Sequence, residues 1–370
     1  MTSTIKMAGA TNVTGWTNIR VTQQLNRASM LTARIPATMA ESQGWTRRLD
    51  TTSEAAEYKY PDAGLWTGLV TSSTIRDGML EITAQGELIR LKKKLLEITA
   101  DTQNTPGNIL TTAVNYYSQV AQGKPLFLGE IDRANGLVSL SQSWGIDIYE
   151  ELLPALTDGC GMELLEQNSL LTFKQSVGQD LTSTALVLTA GFNSSSCQVI
   201  SAAVSNDLFS VTNEYRGVGL QRIVTKSAGA AGTQRSVSSR QKVAGGSKAT
   251  SAAAAGGGTV TFQQFRTLVF DSTSIGRWTQ LAERRDYPNI RTNETMSNVL
   301  NREMAVSKNM YPTMELTLVN QDGVFSRMGL GNTLRVNVAG FGLYKARVMA
   351  TTLDVDSGTM TASMKVVQAL

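Results

Sequence analysis

The sequence predicts a mainly β protein with α+β inserts, built as two small antiparallel β-barrel domains joined by a compact α+β unit. Three observations carry that expectation. Apolar residues alternate with period two in short runs at both ends of the chain. Between those ends the period lengthens to that of a helix. Thr, Ser, Asn, Gln and Gly are abundant while charged residues reach only 17%, the balance of a turn-rich β protein whose surface meets other proteins. With 370 residues, 41% of them hydrophobic, the chain can fill more than one core. Residues 1–95 are expected to form the first barrel, 96–192 the insert and 193–370 the second barrel.

The first section alternates like half-buried strands. Ile19 and Val21 share a face, and Leu31, Ala33 and Ile35 form a second run that stops at Pro36. Leu65, Trp66, Leu69 and Val70 begin a third, and Asp77-Gly78 turns it into Leu80, Ile82 and Ala84. The polar stretch from Glu41 to Pro61 reads as a surface loop. In the middle section Thr105-Pro106 has the form of an N-cap followed by proline at the first helical position. Ile109, Leu110, Ala113, Val114, Tyr117 and Val120 then line one helical stripe. A second helix is expected from Asp147 to Thr157, with Pro154 as a potential kink. Glu163–Leu165 and Leu170–Phe173 read as a hairpin.

Strands return with Val199, Val204, Val211 and Tyr215, followed by Val218, Leu220 and Ile223. A low-complexity stretch over 225–258 reads as a flexible loop, after which Val260, Phe262 and Phe265 resume a strand. Thr292 or Asn293 caps a helix running to Asn309. A β-meander closes the chain: Met314–Leu318, Leu334–Val338, Tyr344–Val348, Thr351–Val355 and, across Asp356-Ser357-Gly358, Met360–Val366.

Composition excludes several chemistries. The chain has no histidine, which removes Ser-His-Asp and Cys-His nucleophiles, His-ligated zinc peptidases and histidine acid–base work. Carboxylate glycosidase chemistry survives, but the adjacent pairs Glu150-Glu151 and Asp354/Asp356 give no reason to face each other across a cleft. The glycine groups Gly217-Val218-Gly219, Gly340-Phe341-Gly342 and Asp158-Gly159-Cys160-Gly161 read as turns, since no phosphate-binding helix or second cysteine pair follows them. No catalytic, cofactor-binding or metal-binding residue is therefore expected. Cys160 and Cys197 read as two buried thiols, with a single bridge between them as the alternative. No secretory signal and no apolar run of membrane-spanning length is visible, so the expected product is soluble, made in a cytoplasm and not stably inserted in a membrane.

Two basic features stand out. Arg90, Lys92, Lys93 and Lys94 interleave with leucines and read as a solvated strand or helix end. Between Glu214 and Asp271 no acidic residue occurs, while Lys226, Arg235, Arg240, Lys242 and Lys248 lie in or beside the low-complexity stretch. These five form a candidate partner-contact arm, for protein or for nucleic acid. No aromatic residue interleaves from Lys226 to Lys248, so stacking on single-stranded bases is unsupported.

The order of segments resembles that of bacteriophage tail-tip or baseplate central hub proteins. The resemblance begins with Gly15–Val21 and Leu25–Ser29, continues through Ile82–Leu91 and Thr105–Leu110, and includes Trp144–Leu153 with Gly161–Glu163 and Leu170–Phe173. Asn206–Gly219 and Leu330–Leu334 are similar to the entry into the family's second barrel and its late strand. What the resemblance implies is a homotrimer located in the virion tail, matching a sixfold tail tube to a threefold spike or fibre. Its implied partners are a distal tail or tail tube protein, the tape-measure protein and the central spike, with transient passage of DNA through the channel. The competing readings are a tail-associated cell-wall glycan hydrolase using carboxylates and a nucleic-acid-binding module using the basic arm.

Overall fold

The structure, a computed structural model, describes residues 4–7, 13–43, 55–59, 65–98, 102–120, 126–133, 138–140, 143–167, 170–184, 186–190, 198–206, 208–226, 252–254, 258–288 and 290–370. The first section supplies β1 (Thr4–Met7), β2 (Val13–Thr14), β3 (Thr17–Gln24), β4 (Met30–Pro36), α1 (Ala37–Ser42), β5 (Ala55–Lys59), β6 (Leu65–Arg76) and β7 (Met79–Gly86). Period-two burial appears where the alternation predicts it, with Ile19, Val21, Leu31, Ala33, Ile35, Leu80, Ile82 and Ala84 all buried. Asp77 and Gly78 both take positive φ, 52° and 74°, the two left-handed residues that a tight hairpin between β6 and β7 needs. The expected surface loop from Glu41 to Pro61 is corrected in part. Its residues 55–59 form β5, a strand between β1 and β6, because cross-strand partners on both sides outweigh its polar composition.

The middle section opens with a 3-10 turn, Glu87–Leu91, followed by β8 (Leu95–Ile98), β9 (Thr102–Asn104), α2 (Pro106–Val120), β10 (Phe127–Ile131), β11 (Val138–Leu140) and β12 (Ser143–Asp147). A π turn, Ile148–Leu152, leads into α3 (Leu153–Thr157), and β13 (Glu163–Gln167), β14 (Leu170–Lys174) and β15 (Val187–Ala190) follow. The Thr105 hydroxyl accepts from the Asn108 amide at 3.3 Å, as a cap ahead of Pro106 should. Asp147 starts the next helical stretch by accepting from the amides of Tyr149 and Glu150, each at 2.9 Å. Pro154 falls in the first turn of α3, directly after the π turn. Ile109, Leu110, Leu152, Leu156, Leu164 and Phe173 belong to a core of this section alone.

The last section contains β16 (Val199–Ser205), β17 (Glu214–Lys226), β18 (Ala252–Ala254), β19 (Gly258–Phe270), α4 (Ser272–Trp278), β20 (Ala282–Tyr287) and α5 (Asn293–Ser307). It closes with β21 (Thr313–Val319), α6 (Val324–Arg327), β22 (Thr333–Val338), β23 (Gly342–Asp354) and β24 (Thr359–Ala369). Tyr344–Val348 and Thr351–Val355, expected as two strands, are one strand with a bulge between Val348 and Ala350. The bulge keeps a single ladder with β24 along nearly its whole length.

No sheet closes into a barrel among the described residues, which corrects the expected pair of barrels. A 13-stranded sheet runs β16-β21-β24-β23-β3-β4-β7-β6-β5-β1-β2, with β22 and β15 branching from β23. The physical reason lies in β23. One edge pairs with β24, while the other is divided, its first half with β22 and its second half with β3. β3 therefore spends its free edge on the far end of the chain and cannot close the first section on itself. β15 lies beside β16, yet no ladder joins them. The outcome is a shared core: Ile19, Val21 and Leu31 pack in one cluster with Leu353, Met360 and Val366.

Leu353 is buried directly opposite Val21 in the β3–β23 ladder. Leu353→Ala is expected to lower stability by about 2–5 kcal/mol in urea titrations. The loss should appear alike at Trp16, Trp66 and probes near β24, because the two ends share one core.

Candidate functional site

Three of the four carboxylates singled out in sequence serve the fold. Glu150 pairs with Lys92 at 2.8 Å, and its hydrogen bond holds that ammonium above the usual lysine range. Asp354 pairs with Arg20 at 3.2 Å in the β3–β23 ladder. Asp356 accepts from the Asn18 amide at 2.6 Å. The basic cluster at 90–94 is divided, which corrects its reading as a wholly solvated end. Arg90 is buried in an ion pair with Glu87, whereas Lys92 reaches Glu150 on the surface. Cys160 is buried and unpaired, and burial pushes its thiol up to about 12, so it is unreactive at neutral pH; Cys197 lies outside the described residues. Among the described residues no cluster of three or more Cys, Asp or Glu side chains could hold a metal ion, and no helix is long and apolar enough to cross a membrane.

One residue of the candidate partner-contact arm, Lys226, falls on a long β-ribbon. β17 and β19 pair over thirteen rungs, from Glu214↔Phe270 to Lys226↔Gly258, and β20 adds a parallel strand along Glu214–Gly219. Lys226 sits at the last rung; Arg235, Arg240, Lys242 and Lys248 lie outside the described residues. Parts of the 225–258 stretch are not loop. Thr225 and Lys226 belong to β17, and Ala252–Ala254 folds back as β18 on Gly258–Val260. Gly217-Val218-Gly219, grouped with the turns although it lies within strand-like sequence, is strand. A Cβ at Gly217 would come within 2.7 Å of Met296 Sδ and 2.8 Å of Leu300 Cδ1, so the missing side chain is what lets α5 lie against the ribbon.

Tyr215, Tyr287 and Ile290 meet Met296 and Leu300 of α5 to form the ribbon's own core. A polar network is built into it. The Tyr287 hydroxyl donates to Glu303 at 2.9 Å and the Tyr215 hydroxyl reaches Ser307 at 3.1 Å. Burial disfavours the charged form of Arg285, but Glu283 and Glu303 outweigh it and hold the guanidinium charged. Asn213, fully buried, ties the ribbon's root: its side chain donates to the Thr279 carbonyl at 2.7 Å and accepts from the Leu281 amide at 2.8 Å.

A second arrangement was not visible in sequence. A cleft of about 950 Å³ separates the β10-β14-β13 sheet, which presents Leu165, Thr172 and Lys174, from the large sheet, which presents Gln23, Thr351 and Met360. Two ties span its ends. Asn26, at φ 66°, donates its amide to the Leu164 carbonyl at 2.9 Å, and its side chain accepts from the Leu164 amide at 2.7 Å. Arg347 grips both oxygens of Glu163 and donates to the carbonyls of Val177 at 2.7 Å and Gly331 at 3.0 Å. Within the cleft the Glu166 carboxyl packs over Gly86, where any Cβ would come within 2.6 Å of either oxygen. Burial pushes Glu166 up to about 7, although the amides of Leu88 and Glu87 favour its ionised form. The only cue to these ties is Glu163-Leu164-Leu165-Glu166, two acids in a strand with a helical spacing.

No family model matches the sequence and no curated protein does. Solved structures do. The 43 kDa tail protein of prophage MuSo2 from Shewanella oneidensis superposes with a TM-score of 0.60 at 14% identity, over 99% of this chain and 98% of that one. A tail protein from Neisseria meningitidis MC58 gives 0.59 at 12% identity, over 99% and 96%. The prophage tail protein gp18 from Listeria monocytogenes EGD-e gives 0.57 at 13% identity, over 98% and 94%. The chain has the fold of these tail proteins from end to end.

Two outcomes follow from the cleft. Arg347→Ala leaves Glu163 facing the joint without its cation and should cost about 3 kcal/mol, read by denaturant titration. Glu166 binds its proton more tightly folded than unfolded. Its contribution is complete below the usual carboxylate pKa near 4.5 and is lost as pH rises through about 7. Stability should fall by on the order of 1–3 kcal/mol between pH 5 and 8, and Glu166→Gln should flatten that slope.

Proposed function

We propose that this chain is a structural, non-enzymatic component of a bacteriophage tail, acting as the hub of a tail tip or baseplate. The observation that carries the reading is the match of the whole fold, insert included, to three tail proteins over nearly their full lengths. The fate of the carboxylates supports it: Glu150, Asp354 and Asp356 are engaged in ties that build the fold. In this reading the chain is a homotrimer that adapts the sixfold tail tube to a threefold spike or fibre. Its channel passes the tape-measure protein and then DNA, and the tail tube protein is its neighbour above. Residues 1–95 and 193–370 act in this reading as the two tube-like ends and 96–192 as the insert between them, although the ends share one sheet.

An early stop codon in this gene is expected to give particles that lack a functional tail and recover infectivity when the chain is supplied in trans. Cryo-electron microscopy of complemented particles should find three copies at the distal end of the tail. Fully infective particles without the chain would end the proposal.

A further inference from the structure

We infer that the outward face of the β17-β19-β20 sheet docks a protein surface that alternates carboxylates with apolar side chains. The face opposite α5 is read from strand alternation. Along β19, Phe265 and Val269 turn toward α5, while Gln264, Arg266, Leu268 and Phe270 are exposed on the other side. Leu220, Val218, Arg216 and Glu214 stand opposite them on β17, and Asp286, Arg284 and Ala282 continue the face on β20.

Two properties of this face set the occupant. First, Leu268 and Phe270 are 57% and 58% exposed, two large apolar side chains standing side by side on a rigid sheet. Second, the face carries one more cation than anions: Arg216, Arg266 and Arg284 against Glu214 and Asp286. Glu214 is held by Arg216 and Gln280, and Asp286 by Arg284, which leaves Arg266 with no ion pair among the described residues. From Glu214 to Asp271 the sequence contains no acid to balance it. Arginine beside aromatic and aliphatic side chains is the composition of a protein interface, and its complement is acidic and apolar. A nucleic-acid backbone would use the arginines and leave Leu268 and Phe270 against phosphate.

Docking at the β20 edge is disfavoured. The open edge of β20 reads Glu283-Arg284-Arg285-Asp286, four consecutive charges that discourage an added strand. From Gln264 to Phe270 the face is about 20 Å long, and at three strands wide it offers only a few hundred Å². That is roughly a third of a standard interface per partner, so an isolated contact should be weak, at about micromolar affinity or above. The inference does not require the tail reading, since the surface is the same in any assembly.

Fluorescence anisotropy on the full chain tests it with three probes: an extended alternating Glu–Leu peptide, a matched Lys–Leu peptide and a DNA duplex. The Glu–Leu peptide should bind in preference to the other two. Leu268→Ser with Phe270→Ser, or Arg266→Glu alone, should each weaken it about tenfold, while Ile75→Ser, at an exposed apolar residue elsewhere, should leave it unchanged. Circular dichroism and thermal melts check that the variants fold. Equal binding of both peptides, binding that ignores the ribbon variants, or preference for DNA lost only in Arg266→Glu would each overturn the inference.

Discussion

Everything in this molecule hangs on one ladder, the pairing of β3 with β23. Its five rungs run from Arg20↔Asp354 to Gln24↔Ala350 and join residues more than three hundred positions apart. The Leu25 and Val355 amides extend it with bonds to Met349 and Ile19, and the Thr22 and Thr352 hydroxyls meet across it. Closing so long a loop is entropically costly, but the cost grows only slowly with length, and it is offset by merging two half-cores into one. A first section left to itself would present β3 as an open edge and leave Val21 without Leu353 across it.

Once that sheet exists, directional polar ties help attach the rest to it. The insert has its own core and meets the sheet across a cleft, so its orientation depends on Asn26 and on Arg347 with Glu163. The ribbon likewise forms its own core with α5 and is tied at its root by Asn213. These ties are directional. Apolar contact would hold the units near one another, whereas a carboxylate in a guanidinium fork holds them at one angle.

Much of the local structure was legible. Alternation in Leu31-Thr32-Ala33-Arg34-Ile35 reports a strand with one buried face, Thr105-Pro106 reports a helix start, and Asp77-Gly78 reports a two-residue turn, because each signal is contained in the residues that adopt the structure. What escaped is non-local. Nothing around Val21 says that its neighbour is Leu353, so two sections with barrel-like patterns looked like two barrels. β5 escaped because its polar sequence is made a strand by its partners. Gly217 looked like a turn because the helix that needs its bare backbone comes some eighty residues later. The cleft was illegible for the same reason: Glu166 differs from any surface glutamate only through Gly86, Glu87 and Leu88, which belong to another part of the chain. The arm was recognisable as a basic stretch, but its mounting on a thirteen-rung ribbon was not.

The late position of β23 has a bearing on how the protein is made. A ribosome delivers β3, β4, β6 and β7 first, and the edge that β3 will give to β23 stays unsatisfied until residues 350–354 emerge. For most of synthesis the nascent chain therefore carries an open strand beside a half-built core, the condition under which neighbouring nascent chains stick to one another. The insert, whose helices and hairpin make local contacts, can fold during that wait and occupy one flank. The last strands then act as a closing seam, and a polypeptide cut short before them is matter for a chaperone or a protease.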